Sequence, residues 1–279
     1  MEFISLQSRV VRGYVGNAVA IPTLQATGLN AWPVDTVLYP HHPGHGPASR
    51  KVTDAAELAA LLSVVLSRIE GPAVLLSGYL AVPDQGLAAL AVLDNARDDG
   101  RDVALYLDPV FGDDTEGIYV DPSLVAYFRE CAVPAATVVM PNRFELATLS
   151  GHAIETPKDA VEASRQLISR GPGLVLVSSV PMGTDALANI LVSPNDAWIC
   201  SVPKRPLRAK GTGDMLSAAF SGLLAGGMPP VAALSSAVAL VQSAVEDCCR
   251  RNLSEMDVPH VLGTTISLLS PVPAQPLVV

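Results

Sequence analysis

Short strand-like apolar segments alternate with longer segments of helical periodicity along most of the chain. The predicted strands are FISLQ, WPVDTVL, AVLLSGY, DVALYL, TVVM and LVLVSS, and the predicted helices follow Gly16 and Pro83 and span about Asp54 to Arg68. Such alternation of strand and helix is typical of βαβ units. It predicts an α/β fold built on a mostly parallel sheet.

The second half of the pattern adds a hairpin and a helical pair. LANILVS and AWICSV are separated by PND, which favours a β-hairpin, and two further helices begin at Gly213 and Pro230. The segment Tyr39 to Pro47, YPHHPGHGP, is too rich in proline and glycine for a helix or a central strand and is predicted to be a loop. With no repeat or low-complexity linker, we expect one domain over residues 1–270 and an extended tail over 271–279.

Composition and charge exclude several classes of partner. The 279 residues are 49% hydrophobic and 16% charged, with a net charge of -9. An acidic chain without a run of lysine or arginine has no attraction for phosphate backbones, so a nucleic-acid partner is not expected. The apolar segment from Val231 is interrupted by serines and ends in Glu246 and Asp247, which indicates a buried helix and no membrane span.

Cysteine usage and the first residues point to the cytoplasm. The segment MEFISLQSRVV does not resemble a secretory signal. Four cysteines, Cys131, Cys200, Cys248 and Cys249, show neither a disulfide framework nor the CxxC spacing of a metal site.

The clearest chemical motif is GTGD, at Gly211 to Asp214, followed at once by a helical segment. Free backbone N–H groups and the helix dipole converge at such a turn, which makes it an anion site. The alternative is that Asp214 only caps the helix and that the glycines only serve the turn. Neither a Walker A motif nor GxGxxG after a strand occurs.

Two acidic motifs follow predicted strands. DPVFGD places Asp108 and Asp113 after DVALYL, either as ligands of a divalent cation or as ordinary turn residues beside a proline. PNRFE follows TVVM, and its Asn142 and Glu145 have the spacing of a capping box, a role compatible with a carboxylate that holds the water shell of a metal.

A fourth motif, QSRVVRGYVGN, leaves the first strand and places Ser8 at that strand's end; the alternative is a strand-to-helix turn without a ligand. All four motifs lie at strand ends, which meet at one edge of a parallel sheet, where α/β proteins bind ligands. Carboxylates beside an anion site are consistent with Mg²⁺ bridging a polyphosphate.

These segments resemble, in order and spacing, the motifs of pyridoxal kinases, the vitamin B6 branch of the ribokinase-like superfamily: SRVVRGYVGN, SGYL, DPVFGD, GIYV, PNRFE and GTGD. The resemblance implies a ribokinase-like three-layer α/β/α sandwich. It also implies ATP-dependent phosphorylation of the 5′-hydroxymethyl group of pyridoxal, and often of pyridoxine or pyridoxamine. Mg²⁺ and a homodimer are implied as well, and a monovalent cation such as K⁺ stays open.

Carried over by position, the resemblance assigns a role to each motif. Asp214 resembles the base that accepts the alcohol proton, beside an anion hole that also contacts ATP, formed by Gly211, Thr212 and Gly213. The vitamer side is formed by Ser8, Val15, Tyr79, Asp214 and, from a lid near residues 39–47, His42. The nucleotide side is formed by Asp108, Asp113, Tyr119, Asn142, Glu145 and Ser178. Within it, Asp108, Asp113 and Glu145 resemble the acidic group that manages Mg²⁺. Lys210, which precedes the anion site, is either a further nucleotide contact or a solvated charge.

Three positions depart from the family pattern. The lid reads PHHP instead of SNHT, so that Pro43 replaces a threonine, Met140 stands where many members have threonine, and Lys210 replaces an apolar residue. Two alternatives stay open. One is a hydroxymethylpyrimidine kinase, which usually has cysteine at the position of Asp214, and the other is a non-catalytic protein that binds B6 vitamers.

Overall fold

A ten-stranded sheet organises the chain, in the order β12-β11-β10-β9-β8-β5-β4-β1-β2-β3. The computed structural model describes residues 1–207, 209–263, 272–273 and 275–277. Its strands are β1 Glu2–Arg12, β2 Asn30–His41, β3 Lys51–Val52, β4 Ala73–Ser77, β5 Val103–Leu107, β6 Gly112–Asp113, β7 Gly117–Ile118, β8 Val138–Val139, β9 Leu174–Met182, β10 Ala186–Val192, β11 Ala197–Pro203 and β12 Gln275–Pro276. β6 and β7 form a separate two-stranded hairpin.

Helices cover both faces of the sheet. They are α1 Asn17–Ala26, α2 Ala55–Arg68, α3 Pro83–Asp98, α4 Ser123–Tyr127, α5 Val133–Ala135, α6 Arg143–Ser150, α7 Pro157–Ile168, α8 Thr212–Ala225, α9 Pro230–Arg251 and α10 Val258–Gly263. A 3-10 turn, Pro43–His45, follows β2, and a π-helical turn, Phe128–Ala132, joins α4 to α5.

Side-chain alternation along the strands creates two cores. Phe3 of β1 is buried with residues of α1, α8 and α9, whereas Ile4 and Leu6 are buried on the other face with residues of α2, α3, α6 and α7. Six neighbouring strands, in the sheet order β9-β8-β5-β4-β1-β2, pair in parallel. The pairs nearer the two edges of the sheet are antiparallel. The predicted three-layer α/β/α fold with a mostly parallel sheet is confirmed.

Most predicted elements occur where the sequence indicated. α2 starts after Asp54, whose carboxylate accepts a hydrogen bond from the N–H of Ala56 at 2.8 Å. β10 and β11 form the predicted hairpin, closed by the Ser193 N–H donating to the Asp196 carbonyl at 2.9 Å. Of the segment from Pro271, β12 pairs with β11, and residues 271, 274 and 278–279 lie outside the described residues.

Two strands, β1 and β2, extend further at their carboxyl ends than predicted. β1 continues past Gln7 to Arg12 through a register shift at Ser8, so that Ser8 lies in a β-bulge and not at the strand's end. β2 includes Tyr39, Pro40 and His41, which were predicted to be loop. β3 pairs with β2 only at Val37 and Leu38, and beyond that point an edge strand tolerates a proline.

α9 was predicted to be a buried helix. By length and composition it could cross a membrane, but 56% of its most apolar window is buried. It packs against α8 and against β10 and β11. This packing is that of a core helix.

α1 and α8 lie side by side and begin at the same end of the sheet. At that end the Gly16 N–H donates to the Asp214 carboxylate at 3.0 Å. At the far end a Cβ added to Gly222 would lie only 2.5 Å from Thr27 Oγ1. The absence of a side chain at position 222 therefore lets the two helices approach closely.

We expect Gly222→Ala to lower the Tm by a few degrees. Overpacking costs about 1–3 kcal/mol, against a gain of about 1 kcal/mol from the better helix propensity of alanine. Calorimetry would measure the change, with Gly71→Ala as the control because a Cβ at position 71 meets open space. A Tm equal to that of the control variant would contradict the close approach of α1 and α8.

Candidate active site

The turns that begin α1 and α8 pack against each other. Gly211, the N-cap residue of α8, has φ of 91°, and a Cβ there would lie 2.1 Å from the Tyr14 carbonyl oxygen. Gly16 begins α1 with φ of 54°, and a Cβ there would lie 2.1 Å from the Ser8 carbonyl oxygen. Only glycine accommodates both the left-handed backbone and this contact. Neither helix start has a side-chain cap, so the first N–H groups of α8 stay available to an anion.

Asp214 lies on the first turn of α8, where it meets the start of α1. Its Oδ2 accepts a hydrogen bond from the Gly16 N–H at 3.0 Å. Burial raises the pKa of Asp214 to about 6, and this N–H opposes the rise by favouring the ionised form. The carboxylate is therefore ionised at neutral pH but more basic than an exposed aspartate, which suits a general base.

Asp108 and Glu145 form a buried acidic pair near Asp214. Asp108 directly follows β5 and is 6% exposed. Burial, and then the charge of Asp214, raise the pKa of Asp108 to about 7, and a hydrogen bond with Ser217 partly offsets the rise. Burial, and then the charge of Asp108, raise the pKa of Glu145. The two carboxylates therefore repel each other through a medium that screens them weakly.

PNRFE forms the predicted capping box. The Asn142 side chain accepts from the Glu145 N–H at 2.9 Å, and Glu145 Oε2 accepts from the Asn142 N–H at 2.8 Å. Glu145 Oε1 accepts from the Phe111 N–H at 3.1 Å, and Asn142 Nδ2 donates to the Gly112 carbonyl at 2.8 Å. The box therefore also attaches DPVFGD to α6. Ser178 in β9 pairs with Asn142 through an isolated parallel bridge, which brings it to the same corner.

Asp113 accepts hydrogen bonds within the hairpin of β6 and β7, to which it belongs. Its Oδ1 accepts from the N–H groups of Thr115 and Glu116 at 2.8 and 2.7 Å, and its Oδ2 lies 3.7 Å from Lys210 Nζ. Lys210 contacts Glu116 more closely, at 2.6 Å. Tyr119, also at this hairpin, has its pKa raised by burial and then by the charges of Glu145, Asp214, Asp108 and Asp113. Tyr119 thus lies in the negative field of these four carboxylates.

The described residues contain no group of three or more His, Cys, Asp or Glu side chains arranged to hold a metal ion. Of the predicted metal residues, Asp108 and Glu145 interact with each other, whereas Asp113 faces Lys210. In the part of the chain that the structure describes, no lysine or arginine forms an ion pair with Asp108, Glu145 or Asp214. The two cations at this hairpin are paired elsewhere, Lys210 with Asp113 and Glu116 and Arg143 with Asp114. Such uncompensated buried carboxylates fit a cation that arrives with its own phosphate and water ligands.

Two of the predicted vitamer residues, Val15 and Tyr79, meet in one apolar cluster. Val15 is buried with Val10, Val37, Tyr39 and Ala81, and Tyr79 packs against this cluster. Ser8 is 8% exposed, and its hydroxyl oxygen would lie 2.6 Å from a Cβ at Gly16. The bulge thus places the serine next to the helix start that holds Asp214.

The predicted lid contacts both sides of the cleft. His45 Nε2 lies 2.7 Å from Glu255 Oε1, which abuts the turn at Gly13. Burial, and then the charges of Lys210 and His45, lower the pKa of His42, so this ring is held neutral near the lysine. The His42 ring nitrogen accepts from the Gly44 N–H at 3.0 Å.

Several contacts at the cleft were missed from the sequence. Glu255, Ser217 and Arg50 belong to no motif, and nothing in their local sequence marks them. His45 lies in the predicted lid, but its contact with Glu255 was not predicted. Met140, one of the departures, is buried with its Sδ 3.6 Å from the Ser221 hydroxyl of α8. Its role is therefore to pack β8 against α8.

Comparisons with known proteins give relatives over nearly the whole chain. Residues 22–259 match the family model described as phosphomethylpyrimidine kinase. A pyridoxal kinase PdxY of Rubrobacter xylanophilus is 33% identical over 97% of this chain and 94% of that protein. A pyridoxal kinase PdxY of Deinococcus radiodurans is 34% identical over 79% of this chain and 78% of that protein.

Solved structures agree on the fold. A pyridoxal kinase from Leishmania donovani, in complex with ADP and pyridoxamine, superposes with a TM-score of 0.88 at 24% identity and covers 99% of both chains. A putative phosphomethylpyrimidine kinase from Bacteroides thetaiotaomicron, in a form with pyridoxal, superposes with a TM-score of 0.85 at 22% identity and covers 99% of both chains. These likenesses confirm the ribokinase-like fold class. The chain belongs to the phosphomethylpyrimidine kinase family and, within it, to the pyridoxal kinases, as its motifs predicted.

Proposed function

We propose that this chain transfers the γ-phosphoryl group of ATP to the 5′-hydroxymethyl group of pyridoxal, and also accepts pyridoxine or pyridoxamine, in the salvage of vitamin B6. The observation that carries the proposal is the Asp214 carboxylate, held by the Gly16 N–H at 3.0 Å beside the uncapped start of α8. Relatives named pyridoxal kinase, at 33% and 34% identity, support the choice of substrate.

In this mechanism Asp214 accepts the proton of the vitamer's alcohol. Phosphoryl transfer passes through a loose transition state, so the protein contributes mainly by positioning and by electrostatic stabilisation. The N–H groups of Gly211, Thr212 and Gly213 stabilise charge that develops on the phosphoryl oxygens. Base and anion hole lie within one turn of one helix, and a single rigid element therefore aligns both.

The nucleotide side is proposed to use Asp108, Asp113, Tyr119, Asn142, Glu145, Ser178 and Lys210. Mg²⁺, when bound there with ATP, would offset the negative charge of the phosphates and of the buried carboxylates. Asp108 and Glu145 would orient water around the cation, and Lys210 would leave Glu116 to contact phosphate. The vitamer ring is proposed to lie against Ser8, Val15 and Tyr79, with His42 closing the lid.

We also propose a homodimer in the cytoplasm. The four cysteines are free in the structure, two buried and two partly exposed, which fits a reducing compartment. The dimer follows from the family resemblance.

Asp214→Asn is the direct test of the base. We expect kcat with pyridoxal to fall by about 10²- to 10⁴-fold, because asparagine keeps an acceptor for the Gly16 N–H but takes up no proton. A coupled ADP-release assay with Mg²⁺ would measure kcat, and calorimetry should find the affinities for ATP and pyridoxal nearly unchanged. The exposed Asp98→Asn is the matched control.

The same assay separates the alternatives when it is run with pyridoxal, pyridoxine, pyridoxamine and hydroxymethylpyrimidine. Turnover of hydroxymethylpyrimidine alone would favour the thiamin-pathway activity. Binding of B6 vitamers without turnover would favour a non-catalytic protein. An unchanged kcat in Asp214→Asn would refute the assignment of the base.

The rate should also depend on pH. The pKa of Asp214 is raised to about 6, so the carboxyl group is protonated below that value and cannot accept the alcohol proton. We expect kcat/KM to fall about tenfold per pH unit below that pKa and to reach a plateau above it. Direct quantification of the phosphorylated product avoids pH effects on coupling enzymes. A rate that stays level through this range would contradict a carboxylate base.

Asp108→Asn tests the acidic pair. Folding raises the pKa of Asp108 to about 7, so the ionised carboxylate destabilises the folded state. This destabilisation is lost at a pH below the pKa of the aspartate in the unfolded chain, about 4, because the carboxyl group is then protonated in both states. We expect the variant to have a Tm higher by several degrees at pH 8, a difference that vanishes near pH 4, and a weaker affinity for Mg²⁺–ATP. A lower Tm at pH 8 would contradict uncompensated repulsion; Asp98→Asn is again the control.

A further inference from the structure

A cation lies at the mouth of the apolar cluster that packs Val15 and Tyr79. Arg50 Nη1 donates to the Tyr39 hydroxyl at 3.2 Å. The Tyr79 hydroxyl interacts with both Tyr39 and Arg50. Tyr39 belongs to the buried cluster itself, and Ala48, two residues before Arg50, packs against it. We call Tyr39, Arg50 and Tyr79 the phenol-arginine group.

Arg50 has no carboxylate partner in the described parts of the chain, residues 1–207, 209–263, 272–273 and 275–277. Its pKa is raised first by the hydrogen bond to Tyr39, and its neighbours are the two phenols. Lys210, on the nucleotide side of the cleft, is by contrast paired with Glu116 and Asp113. A guanidinium has five donors in a planar fork that matches anionic oxygens. Arg50 thus keeps donors and charge available to a ligand.

The position of the group relates it to the vitamer. Tyr79 follows β4 and Tyr39 lies in the last three residues of β2, both at the carboxyl edge of the sheet. The two rings belong to the surface against which the proposed function places the pyridine ring. Arg50 itself is exposed, so a ligand can reach its guanidinium without unfolding any element.

B6 vitamers carry an anionic oxygen suited to such a cation. In 3-hydroxypyridines the ring nitrogen takes up the phenolic proton in neutral water, so that the 3-oxygen is negatively charged. The 5′-hydroxymethyl group, on the other side of the ring, is the group that must reach Asp214. A vitamer oriented for transfer therefore needs a positive partner for its 3-oxygen away from the phosphates.

We propose that Arg50 binds the 3-oxygen of the vitamer and thereby selects 3-hydroxypyridines over analogues without this oxygen. The proposal rests on the proposed function, because it takes the apolar cluster as the site of the ring. Tyr39 and Tyr79 hold the guanidinium in place through their hydroxyls. Arg50 is a specificity-determining residue that contacts substrate and takes no part in proton transfer.

Calorimetry with the full chain tests the proposal directly. The dissociation constants of pyridoxal and of 3-deoxypyridoxal, which lacks the 3-oxygen, would be measured for the wild type, Arg50→Gln and Arg68→Gln. We expect Arg50→Gln to weaken pyridoxal binding by about tenfold or more, as for loss of a charge-assisted hydrogen bond, and to leave 3-deoxypyridoxal binding unchanged. Arg68→Gln, at the end of α2, removes the same charge away from the cleft and should change neither dissociation constant.

Steady-state kinetics adds a second readout. KM for pyridoxal should rise in Arg50→Gln while kcat stays the same. Equal weakening of both ligands would overturn the proposal, since Arg50 would then serve only to order Tyr39 and Tyr79, and so would unchanged binding of pyridoxal. Wild-type protein that binds pyridoxal without phosphorylating it would refute the proposed function, and the contrast between the two ligands would still decide the role of Arg50.

Discussion

The hydrogen bond from the Gly16 N–H to Asp214 is the contact on which the candidate site depends. It joins residues 198 positions apart and connects the first turn of α1 to the first turn of α8. The approach is possible because positions 16 and 211 lack side chains, where a Cβ would collide with backbone oxygens of Ser8 and Tyr14. Two helix dipoles are thereby directed into one crevice. The contact brings the GTGD turn next to the β1 bulge at Ser8, which lies against Gly16.

The second constraint is electrostatic. Asp108 and Glu145 are almost fully buried, Asp214 lies beside them, and burial raises the pKa of all three. A fold optimised for stability alone would not place acidic side chains together without a cation. The cost is consistent with a site that is completed by a positively charged ligand, and it is an instance of stability traded for activity. The N–H groups of Phe111 and Asn142 donate to the Glu145 carboxylate and fix its orientation.

The sequence was sufficient for most of the fold because the sheet is built from local signals. Apolar segments, the cap at Asp54 and the capping box of Asn142 and Glu145 are each specified within a few residues. The extensions of β1 and β2, by contrast, depend on each other, because Val10 pairs with Tyr39 and Arg12 pairs with His41. Motif order also predicted that Asp214 would lie near Asp108 and Glu145. It did not predict that Asp113 would turn to Lys210, since that choice depends on side-chain contacts between distant segments.

The two sides of the cleft are constrained to different degrees. Asp108 directly follows β5, Glu145 lies on α6 and Asp214 lies on α8, and these elements pack into the two cores. The proposed vitamer side includes the segment after β2, at the edge of the sheet, where His45 meets Glu255 and Arg50 meets Tyr39. An edge segment can exchange residues, such as Pro43 for the threonine of the family pattern, without moving Asp214, the proposed base. The proposed vitamer contacts can therefore change while the proposed catalytic residues keep their positions. Those vitamer contacts are also the ones that the local sequence predicts least well.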